Sequence, residues 1–239
     1  MNLLACLLIP VILLSETLGS AHYEVRYKMG VIDTRVVTAE ITWEESSWNG
    51  VPAYYSAAVI QTTPFFRMFL ASDYFAETYF SQASLKPLYF DNPFQRKGKD
   101  GKYEYLFHQD NGEIESWATW GEKTDYTTFP NDGRTVDFLS LVHFIRFIDP
   151  SLAEKPLPMH ILISGKSYPA ELLYQGEDNE KEPGMPAHKF LIRLTERGLM
   201  ENGSGNEVYV WRSAGADRNI IGMSTELSTG SIYARIYTK

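Results

Sequence analysis

The sequence predicts a mainly β protein: an antiparallel meander that forms a curved sheet or half-barrel closed by one short helix. Three observations carry this expectation. Beyond residue 22 the apolar residues recur with period two. Short turn sequences join successive alternating runs, and only the stretch around residues 137–148 changes clearly to helical spacing.

The first 21 residues have an apolar run from Leu3 to Leu14, then a polar stretch ending in Gly19, Ser20 and Ala21. This is the layout of a signal peptide cleaved after Ala21, and the run is too short to cross a bilayer, which needs about 20 apolar residues. Cys6 is the chain's single cysteine. Leu3-Leu4-Ala5-Cys6 imitates the end of a lipoprotein signal, but it precedes the apolar segment that a lipidation site should follow. With cleavage after Ala21, residues 22–239 form one β-rich domain without thiol or disulfide chemistry.

Val37, Ala39, Ile41 and Trp43 alternate with Thr38, Glu40, Thr42 and Glu44, as in a strand with one wet face. Residues 51–63 are apolar at both parities and read as a central strand covered on both sides. Residues 65–80, rich in Phe and Tyr, fit either a short helix or a strand with a turn. The basic cluster at Arg96, Lys97, Lys99 and Lys102 is short and contains Gly98 and Gly101, as a solvated turn would. Tyr103, Tyr105 and Phe107 lead through Asp110-Asn111-Gly112 into EIESWATW, a hairpin with its turn chemistry visible.

In residues 137–148, Phe138, Leu141, Val142, Ile145 and Ile148 fall at helical spacing behind an Asp137 cap, and Pro150 stops the helix. Two more hairpins follow, MHILIS to SYPAELLYQ through Gly165-Lys166, and NIIGMSTEL to SIYARIYTK through Thr229-Gly230. GEDNEKEPGMPA, residues 176–187, reads as an exposed loop within the same meander.

Composition narrows function mainly by exclusion. With 44% hydrophobic residues, 22% charged residues and a net charge of -8, the chain is globular and lacks the clustered cations of a nucleic-acid footprint. The histidines at 22, 108, 143, 160 and 188 show no metal-ligand spacing, so no metal or cofactor is expected. His143 reads as a solvent-facing or core-satisfied residue. The GSG at Gly203–Gly205 lacks the strand-to-helix context of a nucleophile elbow. Glu177, Asp178, Glu180 and Glu182 lack the spacing of a calcium loop and read as a solvated charge run. Asn202 with Ser204 matches a glycosylation acceptor that matters only in a eukaryotic secretory pathway. Thirty acidic residues make chance carboxylate pairs across a sheet expected, so glycosidase chemistry stays a third reading.

The positive signal is aromatic: five Trp, 15 Tyr and 13 Phe. On a concave sheet such residues line an apolar pocket, although cross-strand packing uses them equally well.

YEVRY near residue 23, TVDFLSLVHFIR in the middle and EVYVWRSAGADRNIIGMSTELSTGSIYARI at the end together resemble the bacterial exported family catalogued as domain of unknown function 3108. The resemblance runs from about Tyr23 to Tyr237, and is most specific at Asp137, Leu139, Ser140 and Arg146. It implies a periplasmic or outer-envelope protein of a Gram-negative bacterium, with a fold akin to half-barrel lipoprotein carriers, and brings no catalytic residue set.

The expectation is therefore a non-enzymatic envelope protein that binds a lipid or other apolar ligand in a cavity lined by Tyr55, Phe107, Trp117 and Trp120. An envelope scaffold that binds other proteins is the alternative, and a glycan or lipid hydrolase the third reading.

Overall fold

Period-two alternation becomes a long ladder. The computed structural model describes residues 19–63, 74–96, 99–178, 185–195 and 206–237. The expectations for residues 1–18 with Cys6, for residues 65–73 and Lys97, for Glu180 and Glu182, and for Asn202 and Gly203–Gly205 lie outside the described residues.

Fifteen strands follow in chain order: β1 (Gly19–Met29), β2 (Ile32–Trp48), β3 (Val51–Thr62), β4 (Tyr74–Ser81), β5 (Pro87–Arg96), β6 (Lys99–His108), β7 (Glu113–Trp120), β8 (Lys123–Pro130), β9 (Thr135–Asp137), β10 (Leu157–Ile163), β11 (Lys166–Asp178), β12 (Ala187–Leu194), β13 (Glu207–Ser213), β14 (Ile220–Leu227) and β15 (Gly230–Tyr237). Helix α1 (Phe138–Phe147) and a 3-10 turn at Pro150–Ala153 separate β9 from β10.

All belong to one sheet in the order β8-β7-β6-β5-β4-β3-β2-β1-β15-β14-β13-β12-β11-β10-β9. Neighbours are antiparallel except β9 and β10, which run parallel. The first and last strands pair in the interior of this order, His22 opposite Tyr237. The sheet is not closed into a barrel, because β8 and β9 remain its edges. It nevertheless curls far enough for its two halves to meet. Gly165, at φ +73 in the β10–β11 turn, donates its N–H to the Tyr105 hydroxyl of β6 at 2.9 Å.

Helix α1 fills the trough. Leu139, Leu141 and Ile145 join Phe90, Tyr105, Phe107, Ile114, Leu162, Leu172 and Phe190 in one buried cluster. Asp137 caps the helix as expected, its Oδ1 accepting from Leu139 N at 2.9 Å and Ser140 N at 2.8 Å. The described end of the 65–80 segment is strand, β4, because Phe80 packs inward on the helix while Tyr79 stays outside with Tyr55 and Trp48.

Strand β3 departs from the two-sided burial expected of it. It is internal in the sheet, but Val59 on its outer face is 42% exposed. Gln61 on that face is exposed too, whereas Tyr55 is half-buried beside its cross-strand neighbour Tyr79. The strand also carries fully buried Ser56.

Strand β1 starts at Gly19, so Gly19, Ser20 and Ala21 pair with Trp43, Thr42 and Ile41. Ala21 is buried, and Trp43 occupies the space that a Gly19 Cβ would need.

Candidate functional site

Asp137, Ser140, His143 and Arg146 recur every third residue, so one side of α1 carries a polar stripe in an otherwise apolar element. All four are buried. At the helix start, Ser140 Oγ donates to Asp137 Oδ2 at 2.5 Å. Thr78 Oγ1 lies 3.1 Å from the same oxygen, 2.9 Å from Ser140 Oγ and 3.0 Å from the Tyr89 carbonyl oxygen. No cation pairs with this carboxylate among the described residues, and burial pushes the Asp137 carboxyl above its usual range, against the pull of the Ser140, Thr78 and backbone hydrogen bonds.

One turn on, His143 Nε2 is 2.7 Å from Ser56 Oγ. That distance suits a nucleophile and its base, but the proton inventory forbids the role. Ser56 Oγ already donates to the Thr42 carbonyl at 2.8 Å, so it accepts from His143 Nε2–H. His143 Nδ1 then accepts from Arg146 Nη1 at 3.3 Å. Burial, reinforced by the Arg146 charge, pushes the His143 pKa down to about 3. The ring is a neutral strut between helix and sheet, stacked on Phe80 and edge-on to Trp43.

The stripe ends in charge. The Arg146 guanidinium lies 3.8 Å above the Trp43 ring, a cation–π placement. Its Nη2 reaches Asn219 Oδ1 at 3.3 Å and the Asp217 carbonyl at 3.5 Å, while its Nε is buried without a partner. Nearby Tyr23 has its pKa pushed up to about 12 by burial, with Arg146 pulling it down.

The C-terminus of α1 lacks a glycine cap, since Ile148 is extended and Asp149-Pro150 follow. Its carbonyls are met instead by arginine donors. Ile148 N–H takes the Phe144 carbonyl at 2.8 Å. Arg212 Nη1 donates to the carbonyls of Ile145 (2.9 Å), Arg146 (3.3 Å) and Ile148 (2.7 Å), and Arg218 Nη1 to that of Phe147 (3.4 Å).

Two cavities flank the helix. A polar one of about 400 Å³ opens at its C-terminal end, beside Asp149, His188, Arg212, Ser213 and Arg218. An apolar one of about 170 Å³ lies against Phe144, walled by Leu85, Val136, Leu157 and Met159, with Lys86 and Arg134 on its lining. Leu85 holds a left-handed φ of +57 there, an unfavourable conformation for a leucine. Arg134 is paired with Asp132 at 3.0 Å, whereas Lys86 has no carboxylate partner among the described residues.

The sequence matches the family described as a protein of unknown function, DUF3108, over residues 22–237. The chain belongs to the DUF3108 family. No curated protein matches it. The crystal structure of a β-barrel-like protein of domain of unknown function DUF1849 from Brucella abortus superposes with a TM-score of 0.58 at 8% identity, covering 92% of this chain and 95% of that chain. That likeness is one of fold, and it agrees with the expected half-barrel kinship.

Within this DUF3108 chain the four aromatics expected to line one cavity are divided. Phe107 is core and Trp120 packs edge-on against Phe94 on the inner side of the sheet. Tyr55 hydrogen-bonds Glu77 at 2.9 Å on the outer face, where Trp117 lies against Tyr126. None of the four lines either cavity beside the helix. Alternation separates them, because Trp117 and Trp120 are an odd number of residues apart on one strand.

The chance carboxylate pairs do occur on that outer face, with Glu77, Asp91 and Glu104 opposite one another across β4, β5 and β6. Lys102 Nζ bridges Asp91 and Glu104 at 3.2 Å each. No metal-holding group of side chains is found among the described residues.

The residues that sequence reasoning missed are Lys86, His188, Arg212 and Arg218. Arg212 and Arg218 lie in WRSAGADRN, which carried family resemblance but no role, His188 was weighed only for metal spacing, and Lys86 had no signal.

Proposed function

We propose that this DUF3108 protein is a non-enzymatic envelope protein, exported in a Gram-negative bacterium, that binds the apolar end of an amphipathic anion beside helix α1. The supporting observation is the apolar cavity at Val136, Phe144, Leu157 and Met159 with the uncompensated Lys86 ammonium on its lining. Apolar cavities of about 150 Å³ hold a benzene-sized guest, so about 170 Å³ suits a ring or short alkyl segment, with the rest of the ligand outside. The packing of α1 and the aromatic core in the trough argues against a carrier that swallows a whole lipid.

Calorimetric titration with octanoate tests this. Wild type should bind, Leu157→Trp should fill the cavity and abolish binding, and Lys86→Gln should weaken it several-fold. Equal heats from wild type and Leu157→Trp would overturn the reading. Native mass spectrometry of protein purified without detergent would then identify the physiological guest.

A second reading, a scaffold, is favoured by strand β8. Among the described residues it pairs only with β7, and seven of its eight residues are exposed, the form of a strand open to edge addition. Protection of β8 amides from hydrogen exchange by an added partner strand would support it.

A further inference from the structure

We propose that the polar cavity at the C-terminal end of α1 binds a phosphate group through Arg212, Arg218, His188 and Ser213. Arg212 is 3% exposed, and its Nη1 serves the helix carbonyls while its Nε is buried without an acceptor. A buried guanidinium N–H left unpaired is costly and calls for an acceptor. Arg218 lends one contact to the helix at 3.4 Å and makes no other side-chain hydrogen bond among the described residues. It also holds a left-handed φ of +47, a conformation rarely kept by a non-glycine residue. Neither arginine has a carboxylate ion-pair partner among the described residues.

Two neutral donors complete the set. His188 Nδ1 sits 2.9 Å from the Tyr174 hydroxyl. With that hydroxyl donating to Nδ1, Nε2 carries the ring proton. Burial, then the charges of Arg212 and Arg218, hold the His188 pKa below its ordinary value, consistent with a neutral ring. Ser213 Oγ accepts from Gly215 N at 3.0 Å and keeps its own proton to donate. Donors from β12, β13 and the segment after β13 therefore surround one space, enough to meet each of the three terminal oxygens of a phosphate group.

Asp149 is the single carboxylate on the lining, its Oδ1 accepting from Ser151 N at 3.0 Å. A carboxylate among donors, hydrogen-bonded also by the Ser151 side chain but with lone pairs to spare, selects an oxyanion that still bears a proton. Inorganic phosphate keeps one through neutrality, a phosphate monoester keeps one up to its second pKa of about 6, and sulfate has none. The cavity of about 400 Å³ falls within the usual range for small-ligand clefts, about 300–1,000 Å³, leaving room for an organic substituent on phosphorus.

The test is ³¹P line broadening and thermal unfolding of the full chain with inorganic phosphate, against sulfate at matched ionic strength. Phosphate should stabilise wild type more than sulfate does. Arg218→Gln, which disturbs only one long contact, should weaken phosphate binding about tenfold or more. Asp149→Asn keeps an oxygen for Ser151 N and should erase the preference over sulfate. Equal effects of the two anions on wild type, or phosphate binding unchanged in Arg218→Gln, would overturn the proposal. Competition by glycerol phosphate would identify a soluble ester as the source, and competition only by phosphatidic acid vesicles a lipid headgroup. Leu157→Trp should leave phosphate binding intact, which separates this site from the apolar cavity.

Discussion

The two ends of helix α1 solve the same problem in opposite ways. At the N-terminal end a carboxylate meets the backbone donors, two hydroxyls meet the carboxylate, and apolar residues seal the group from water. At the C-terminal end two guanidiniums meet the backbone carbonyls beside an open polar cavity, and they retain donors that no described residue uses. A closed, satisfied network fixes a helix in place. An open one that fixes the helix and keeps hydrogen-bonding capacity facing a cavity is also equipped to receive something.

The difference can be broken first at the closed end. Asp137→Ala removes the cap and strands Ser140, Thr78 and two amide groups where water cannot replace it, so denaturant unfolding should show a loss of about 3–5 kcal/mol. Asp137→Asn keeps the capping oxygen and should lose far less. Because the folded-state carboxyl is raised above its unfolded value, wild type loses stability as pH rises through the window above about 3.9, where the unfolded carboxyl titrates. That component should vanish in Asp137→Asn.

Arg212→Met should cost less, about 2–3 kcal/mol, because water from the cavity can reach the carbonyls it leaves. A loss equal to that of Asp137→Ala would show that the C-terminal end is sealed as well. The smallest effect belongs to the strut between the two ends. His143→Gln should cost about 1–2 kcal/mol in lost stacking and packing. Its sharper signature is in pH. The folded pKa of about 3 lies below the unfolded value of 6.5. The neutral ring therefore contributes stability that is fully present above about pH 6.5 and is lost as pH falls toward 3. His143→Gln should remove that acid limb, opposite in sign to the Asp137 component.

What the sequence discloses about these regions follows sequence distance. Asp137 as a cap, Pro150 as a stop and the Asp110-Asn111-Gly112 turn depend on residues a few positions apart, and the structure has each of them. The partners that give the stripe its meaning are remote. Ser56 is 87 positions from His143, Thr78 is 59 from Asp137, and Arg212 is 64 to 67 from the carbonyls it meets. Period two gives the faces of a strand but not which strands adjoin, so neither a serine in β3 nor an arginine in β13 announces that it touches a helix. The division of Tyr55 and Trp117 from Phe107 and Trp120 shows the converse. Its parity was readable within β7, but an aromatic surplus treated as one lining concealed it.

Strands β1 and β15 pair side by side within the sheet, while the edges β8 and β9 are joined by only a few residues. Linking Tyr237 to His22 and opening the chain near residue 132 would give a polypeptide whose strands occur along the chain in their spatial order, from β9 to β15 and on from β1 to β8. The described strands are thus a circular permutation of a chain that would cross the sheet strand by strand, antiparallel except at β9 and β10, with β1 and β15 in the middle of the ladder. Strand β1 must then wait for β15 to be synthesised before its second edge is covered, and a nascent chain presents that open edge while β2 to β14 are being made.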